Sequence, residues 1–424
     1  MTPTSTRLAI CLWDFTWYTR TGPGEPFEDL DRACQETVDR GFNAIRICAM
    51  PFLLFGSGLD TSRLRLGPLP GGHGQRTRWY DVKHETTIDA REHLLNLFRA
   101  CERHNLSVIV SSWEYQQSPS FALDDSWYRA LYAVPPEDRL VALAEAEAAL
   151  LDFLGEHDLA HLVVFSELHN EVATGHLTDG LPGPDLVVQL HDRLARGVER
   201  FHQLRPNDLC AANYSRVPVG QMRGIPDSCD VLVCHPYIYG VLDELIHEFG
   251  LRSDSFDPDR IAASGLVRAD AGPYPMPGTD SWRFRATIMR LPEMWVHDNV
   301  DAVAWDAWLY GHLGSHLAAM YDRLDLWLDA AHDWAVEHDA RLVFAEGWVG
   351  YTPLEGTFEE GPIGRQIILH AMRRSGELDA WGTMVCSNAA PHHPMWADRD
   401  FISEANAVYS TTAPAGSELA PAHL

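Results

Sequence analysis

Residues 162–171 read Leu162-Val163-Val164-Phe165-Ser166-Glu167-Leu168-His169-Asn170-Glu171, and residues 341–348 read Arg341-Leu342-Val343-Phe344-Ala345-Glu346-Gly347-Trp348. Each is a short apolar run that ends on a glutamate. A run of this length, rich in β-branched and aromatic residues, reads as a strand buried on both faces. Working outward, similar runs stand at Arg7–Phe15, Asn43–Ala49, Ser107–Trp113, Asp208–Tyr214, Val231–Pro236 and Trp381–Ser387. Helix-length amphipathic stretches separate them: Glu28–Arg40, His84–His104, Pro136–His157, Pro184–Leu204, His316–His338 and Pro362–Arg374. Gly41 closes the first of these, and Pro136 suits a first helical turn in the third. Strand alternating with helix implies a parallel sheet with crossover helices. With eight strands, the expected fold class is α/β, a TIM (β/α)8 barrel with long loop insertions after strands 2 and 6.

The 424 residues exceed a bare barrel of about 250. Two connections absorb the excess: Pro51–Asp81 after the second strand, and residues 238–340 after the sixth. Loops this long in a compact domain are usually functional, and loops that follow strands build the active face of a barrel. The expectation is a single catalytic domain over residues 1–424, with 238–340 as an insertion or lid within it.

Lys and Arg number 33 against 60 Asp and Glu, a formal charge of -27. Phosphate backbones and anionic lipid surfaces need basic patches, so nucleic acid and membranes are not expected partners. Homo-oligomerisation is left open. Met1–Arg7 shows no basic leader, and no run approaches the ~18 apolar residues of a membrane span. Of eight cysteines, Cys11, Cys48, Cys210, Cys234 and Cys386 lie inside apolar runs, and no zinc-type spacing occurs. Together these features point to a reduced, cytoplasmic protein.

The strand bodies are apolar, but their C-terminal ends collect polar and aromatic residues. Asp14 and Trp17 follow the first strand and Arg46 ends the second. Trp113-Glu114 ends the third, and His235-Pro236-Tyr237 the sixth. Asn170-Glu171 and Glu346 complete the set. The run Phe165–Glu171 resembles the fourth-strand motif of the cellulase-like clan of retaining barrel glycoside hydrolases. The resemblance extends, in order, through Arg46, Asn170-Glu171, His235-x-Tyr237 and Glu346, over roughly residues 7 to 390. It implies Glu171 as general acid/base and Glu346 as nucleophile. It further implies that Asn170 binds a sugar 2-hydroxyl, that Arg46 supports the nucleophile, and that Tyr237 hydrogen-bonds it. The implied reaction is double-displacement cleavage of a small oligosaccharide or glycoside. In that reaction the charge of Glu346 is expected to help keep Glu171 protonated. The insertion after the sixth strand suits exo-action.

Three strand ends depart from the family pattern. Trp113-Glu114 stands in place of a histidine and Val172 in place of a proline. Ser387-Asn388 stands in place of a tryptophan that Trp396 could supply from the next loop. Asp14 and Glu114 are candidate sugar ligands, and Trp17, Trp113 and Trp348 candidate stacking surfaces. Glu167 reads as a structural carboxylate paired with Arg46. The histidines His169, His392 and His393 raise the question of a metal. No set of carboxylates and histidine assembles at strand ends without Glu171 and Glu346 themselves, so no metal or other cofactor is expected. The rival readings are a non-catalytic carbohydrate-binding barrel and a metal-dependent sugar isomerase.

Overall fold

The computed structural model describes residues 6–275, 281–350 and 352–415. Met1–Ser5, part of the stretch read as lacking a leader, lie outside the described residues. Eight parallel strands close into a barrel: β1 Leu8–Asp14, β2 Ala44–Cys48, β3 Ser107–Ser111, β4 Val163–Glu167, β5 Cys210–Tyr214, β6 Val231–Cys234, β7 Arg341–Phe344 and β8 Gly382–Thr383. Each pairs with its chain neighbours, and β1 closes the ring on β8 with Leu8 opposite Gly382. The chain is therefore a TIM (β/α)8 barrel. β1 and β2 are buried at every position, because barrel side chains face either the filled interior or the helix ring. That two-sided burial is what makes the strands readable as unbroken apolar runs.

The helices fall in the gaps, with two departures from the expected bounds. The third-strand approach, expected as one helix from His84, starts at Ala90, where the Asp89 carboxylate caps it by accepting from the Glu92 N–H. Before the cap, Thr86–Ile88 pairs antiparallel with Leu64–Leu66, as its β-branched residues favour. The next helix begins at Arg139, three residues beyond Pro136. A C-terminal helix, Arg399–Thr411, covers β1 and had not been expected. Its buried residues Phe401, Ile402, Ala405 and Tyr409 make one helical stripe.

The two long connections meet above the C-terminal ends of the strands. Between β6 and β7 the chain forms helices Val241–Glu248, Pro258–Ala263, Trp282–Arg285, Leu291–Asn299 and Ala302–His312, then the barrel helix Leu317–Glu337. Arg283, buried in this region, donates to the carbonyls of Ser120, Gly67 and Pro68 at 2.6–2.8 Å. Asp298 accepts from the Gly74 and Arg76 N–H groups at 2.7 and 2.8 Å. These bonds join the β2 and β3 connections to the β6 connection as a roof over part of the barrel mouth. All eight cysteines are buried and unbridged. No described helix is long and apolar enough to cross a membrane.

Candidate active site

The roofed end of the barrel holds an ion-pair network centred on Arg46. Its side chain is fully buried and projects from the middle of β2, beside Ile109 of β3. Nε and Nη2 donate to Glu167, which ends β4, at 2.6–3.1 Å. Nη1 donates to Glu346, just past β7, at 3.0 Å, and Nη2 also donates to the Asn170 side-chain oxygen at 2.7 Å. The guanidinium lies 4.5 Å from the ring centroid of Trp113, a cation–π contact that fixes its plane. A buried guanidinium compensated by two carboxylates tolerates desolvation that would expel an isolated charge.

Glu346 is 2% exposed. Besides Arg46, it accepts from the Tyr237 hydroxyl at 2.9 Å. Tyr237 also contacts Ser387 Oγ at 2.6 Å and receives a bond from Arg78 Nη2 at 3.3 Å.

Glu171 has different surroundings. It sits at φ +49°, in a bend where the Asn213 side-chain oxygen accepts its N–H. Its carboxylate accepts from Gln116 Nε2 at 2.9 Å and lies 3.0 Å from His235 Nδ1. Burial is the main influence and pushes its pKa up to about 7. The expected contribution from the charge of Glu346 is not among the causes; hydrogen bonds from Gln116 and Thr174 and the charge of Arg46 pull the other way. The two glutamates thus differ in surroundings: Glu346 bonds the Arg46 guanidinium, whereas Glu171 is desolvated with a neutral amide donor beside it.

His235 links the two glutamates. Its Nε2 receives a bond from Asn213 Nδ2, so the proton sits on Nδ1 and points at Glu171. Burial lowers its pKa to about 4, leaving it neutral near pH 7. One atom each from Glu171, Glu346 and His235 lie within 4.8 Å of one another. Such a trio has the chemistry to approach a cation, but the same atoms are engaged in the bonds just described, and a metal on Nδ1 would have to displace its proton.

The amide orientations follow from the charges at either end. Arg46 fixes the Asn170 oxygen, so Asn170 Nδ2 donates to Gln116 Oε1 at 2.7 Å and Gln116 Nε2 is left to donate to Glu171. Gln116, Asn213 and Arg78 had not been singled out from the sequence. Asn213 is the penultimate residue of β5, so the strand-end rule that found the others would have found it. Gln116 and Arg78 lie in loops, where no period marks them.

A cavity of about 720 Å³ opens on the Glu171 side. Gln116, Glu171 and Tyr237 form its floor, and residues of the β6 connection, including Tyr239, Arg252, Met289 and Trp327, form much of its wall.

Residues 10–172 match the cellulase-like family, described as sugar-binding cellulase-like. The match supports a cellulase-like family protein. No curated protein matches the chain. Among solved structures, a provisionally assigned glycoside hydrolase from Parabacteroides distasonis is similar at a TM-score of 0.67 and 18% identity, over 96% of this chain and 95% of that one. A family 5 mannosidase from Rhizomucor miehei is similar at 0.46 and 10%, over 95% and 93%. The first of these likenesses establishes a shared, glycoside hydrolase-like fold.

Against that cellulase-like pattern, several expected sugar contacts are core residues. Glu114 points away from the cavity: its oxygens accept from the Phe52 and Leu53 N–H groups, Ser112 Oγ and Trp127 Nε1, so it anchors the loop after β2. Trp17 is buried, donates to the Cys48 carbonyl and stacks on His93. Trp113 lies under Arg46, and Trp348 is buried with its indole N–H on the Met384 and Val385 carbonyls. Trp396 is bonded to Glu36 and stacked on Phe42, outside the site. His169 accepts from the Tyr115 N–H and is a structural residue. Asp14, by contrast, is buried near Glu346 and Arg78, with its pKa raised to about 8, chiefly by burial. Its Oδ2 lacks a hydrogen-bond partner among the described residues and lies 3.6 Å from His392 Nε2, which also lacks one.

Proposed function

We propose that this protein is a retaining glycoside hydrolase, with Glu346 as nucleophile and Glu171 as general acid and then base. The observation that carries the reading is the unequal pair: Glu346 bonded by Arg46 and Tyr237, and Glu171 with its pKa pushed up to about 7 by burial. Their nearest oxygens, within 4.8 Å, suit the ~5 Å spacing of direct attack better than the 6.5–9.5 Å that an intervening water requires. Attack of Glu346 on the anomeric carbon breaks the glycosidic bond while Glu171 protonates the departing oxygen. Water, deprotonated by Glu171, then releases the sugar from Glu346. Asn170, oriented by Arg46 and Gln116, is placed to contact the 2-hydroxyl. Asp14, close to Glu346 and with an unbonded Oδ2, is the proposed contact to the glycon. The Parabacteroides protein's description as a glycoside hydrolase agrees with this reading.

Glu346→Ala tests it. Turnover of the nitrophenyl glycoside that the wild type prefers should fall by more than about a thousandfold. Azide should restore release of nitrophenol and yield a glycosyl azide of inverted configuration. Near-wild-type turnover in this variant would reject the nucleophile role, and chelator-sensitive interconversion of free sugars with no nitrophenol release by the wild type would favour the isomerase instead.

A further inference from the structure

The cavity beside Glu171 does not end at its own wall. A second cavity, of about 380 Å³, lies between the loops that follow β4 and β5, where Pro184, Val187, Val217 and Val219 give it an apolar lining. Thr174, Ser215, Arg216 and Trp327 border both cavities, so the two meet along a shared rim and form one groove. Each has the size of a small-ligand site, ~300–1,000 Å³. Gln116, Glu171 and Tyr237 border the first cavity and not the second, which is therefore the more distant from the chemistry.

Trp327 stands at that rim and is the one tryptophan that borders either cavity. It belongs to the barrel helix Leu317–Glu337, whose buried stripe includes Leu324, Leu328 and Ala331. Three residues after Leu324 and four before Ala331, it flanks the stripe. It packs against the core yet stays half-buried. Its indole N–H has no hydrogen-bond partner among the described residues. The ring's one cationic or aromatic neighbour among them is the Arg323 guanidinium, 6.0 Å from the centroid, at the outer limit of a cation–π contact. Trp17, Trp113 and Trp348, the stacking surfaces expected from the sequence, are by contrast fully buried. A sugar ring carries C–H groups on its faces and hydroxyls on its rim. An indole offers an apolar face to the first and a donor to the second, and loses little rotamer freedom in doing so. The side of the scissile bond follows from the general acid. The groove borders Glu171 but not Glu346, and the acid faces the leaving oxygen.

We infer that Trp327 is a stacking platform for the leaving group, and that the substrate carries at least two sugar units on the reducing side of the scissile bond. The first unit occupies the cavity beside Glu171, and the second crosses the rim onto the indole. This rests on the assignment of Glu171 as the general acid, but the preference for a longer leaving group is measurable without turnover. The probes are cello-, manno-, xylo- and β-1,4-galacto-oligosaccharides of two and three units. Their affinities would be measured by calorimetry on Glu171→Gln, which leaves them uncleaved, and kcat/KM on the wild type.

In the preferred series, going from the disaccharide to the trisaccharide should tighten binding and raise kcat/KM by about fivefold or more. Adding Trp327→Ala to either protein should cut that gain to less than about twofold, and Trp327→Phe should keep most of it. The gain is a ratio taken within one protein, so a general loss of stability or activity does not move it. Absence of the gain before any change at Trp327, a gain that survives Trp327→Ala, or no detectable binding in any of the four series would overturn the inference. If the gain in binding appears and depends on Trp327 but no sugar is cleaved, the hydrolase reading fails and the platform stands. If trisaccharides are cleaved no better than disaccharides and bind no tighter, the platform fails and the hydrolase reading stands.

Discussion

At the residue scale, the buried carboxyl of Glu171, the proposed acid/base, links stability to pH. Its folded pKa, raised by burial to about 7, lies above the roughly 4.3 of a free glutamate. The folded state therefore binds the proton more tightly than the unfolded state. Stability linked to that proton is present at low pH and lost as pH rises from about 4.3 through 7. Glu171→Gln cannot ionise and escapes the loss. It should raise the melting temperature relative to wild type by more at pH 8 than at pH 5, with a difference in stability of about 1–3 kcal/mol. An equal shift at both values would show that Glu171 is not desolvated. The same ionisation should set the alkaline limb of kcat/KM near pH 7, and the limb should vanish in Glu171→Gln assayed on an activated aryl glycoside that needs no acid.

At the element scale, the roof depends on a few side chains bonding to backbone. Arg283 is the strongest case. It is buried, burial lowers its pKa to about 10, and its bonds run to neutral carbonyls of the connections after β2 and β3. A charge desolvated in this way is retained only if those bonds form. Arg283→Ala removes three charge-assisted bonds and leaves three carbonyls without their donor. The cost should be about 2–4 kcal/mol, felt at the roof rather than in the barrel. Hydrogen exchange should speed up in residues 64–76 and 283–299 and stay unchanged in β1–β8. Uniform acceleration throughout would mean that roof and barrel unfold as one unit.

At the scale of the whole molecule, what could be read from the sequence follows the periodicity of each part. Barrel strands are buried on both faces, so all eight appeared as apolar runs, and the polar residues that interrupted them at Arg46, Glu171 and Glu346 were those that meet at the barrel mouth. The walls were harder to read. Nothing local separates Trp113, which lies beneath Arg46, from a tryptophan that faces sugar, or Glu114, which caps a loop, from a ligand. Those roles are set by contacts between connections far apart in the chain. The roof also bears on the mode of attack. Glu346 is 2% exposed, and Arg78 and Trp79, from the roofed loop after β2, are buried at 2% and 4%. The cavity described above opens on the Glu171 side. A long chain threaded across the mouth would have to displace that loop, whereas a short glycon would not. Exo-action is therefore expected: an oligosaccharide labelled at its reducing end should lose one or two sugars at a time, leaving labelled products that shorten stepwise. Labelled fragments of intermediate length in the first minutes of reaction would instead mean that the roof opens to admit an internal bond.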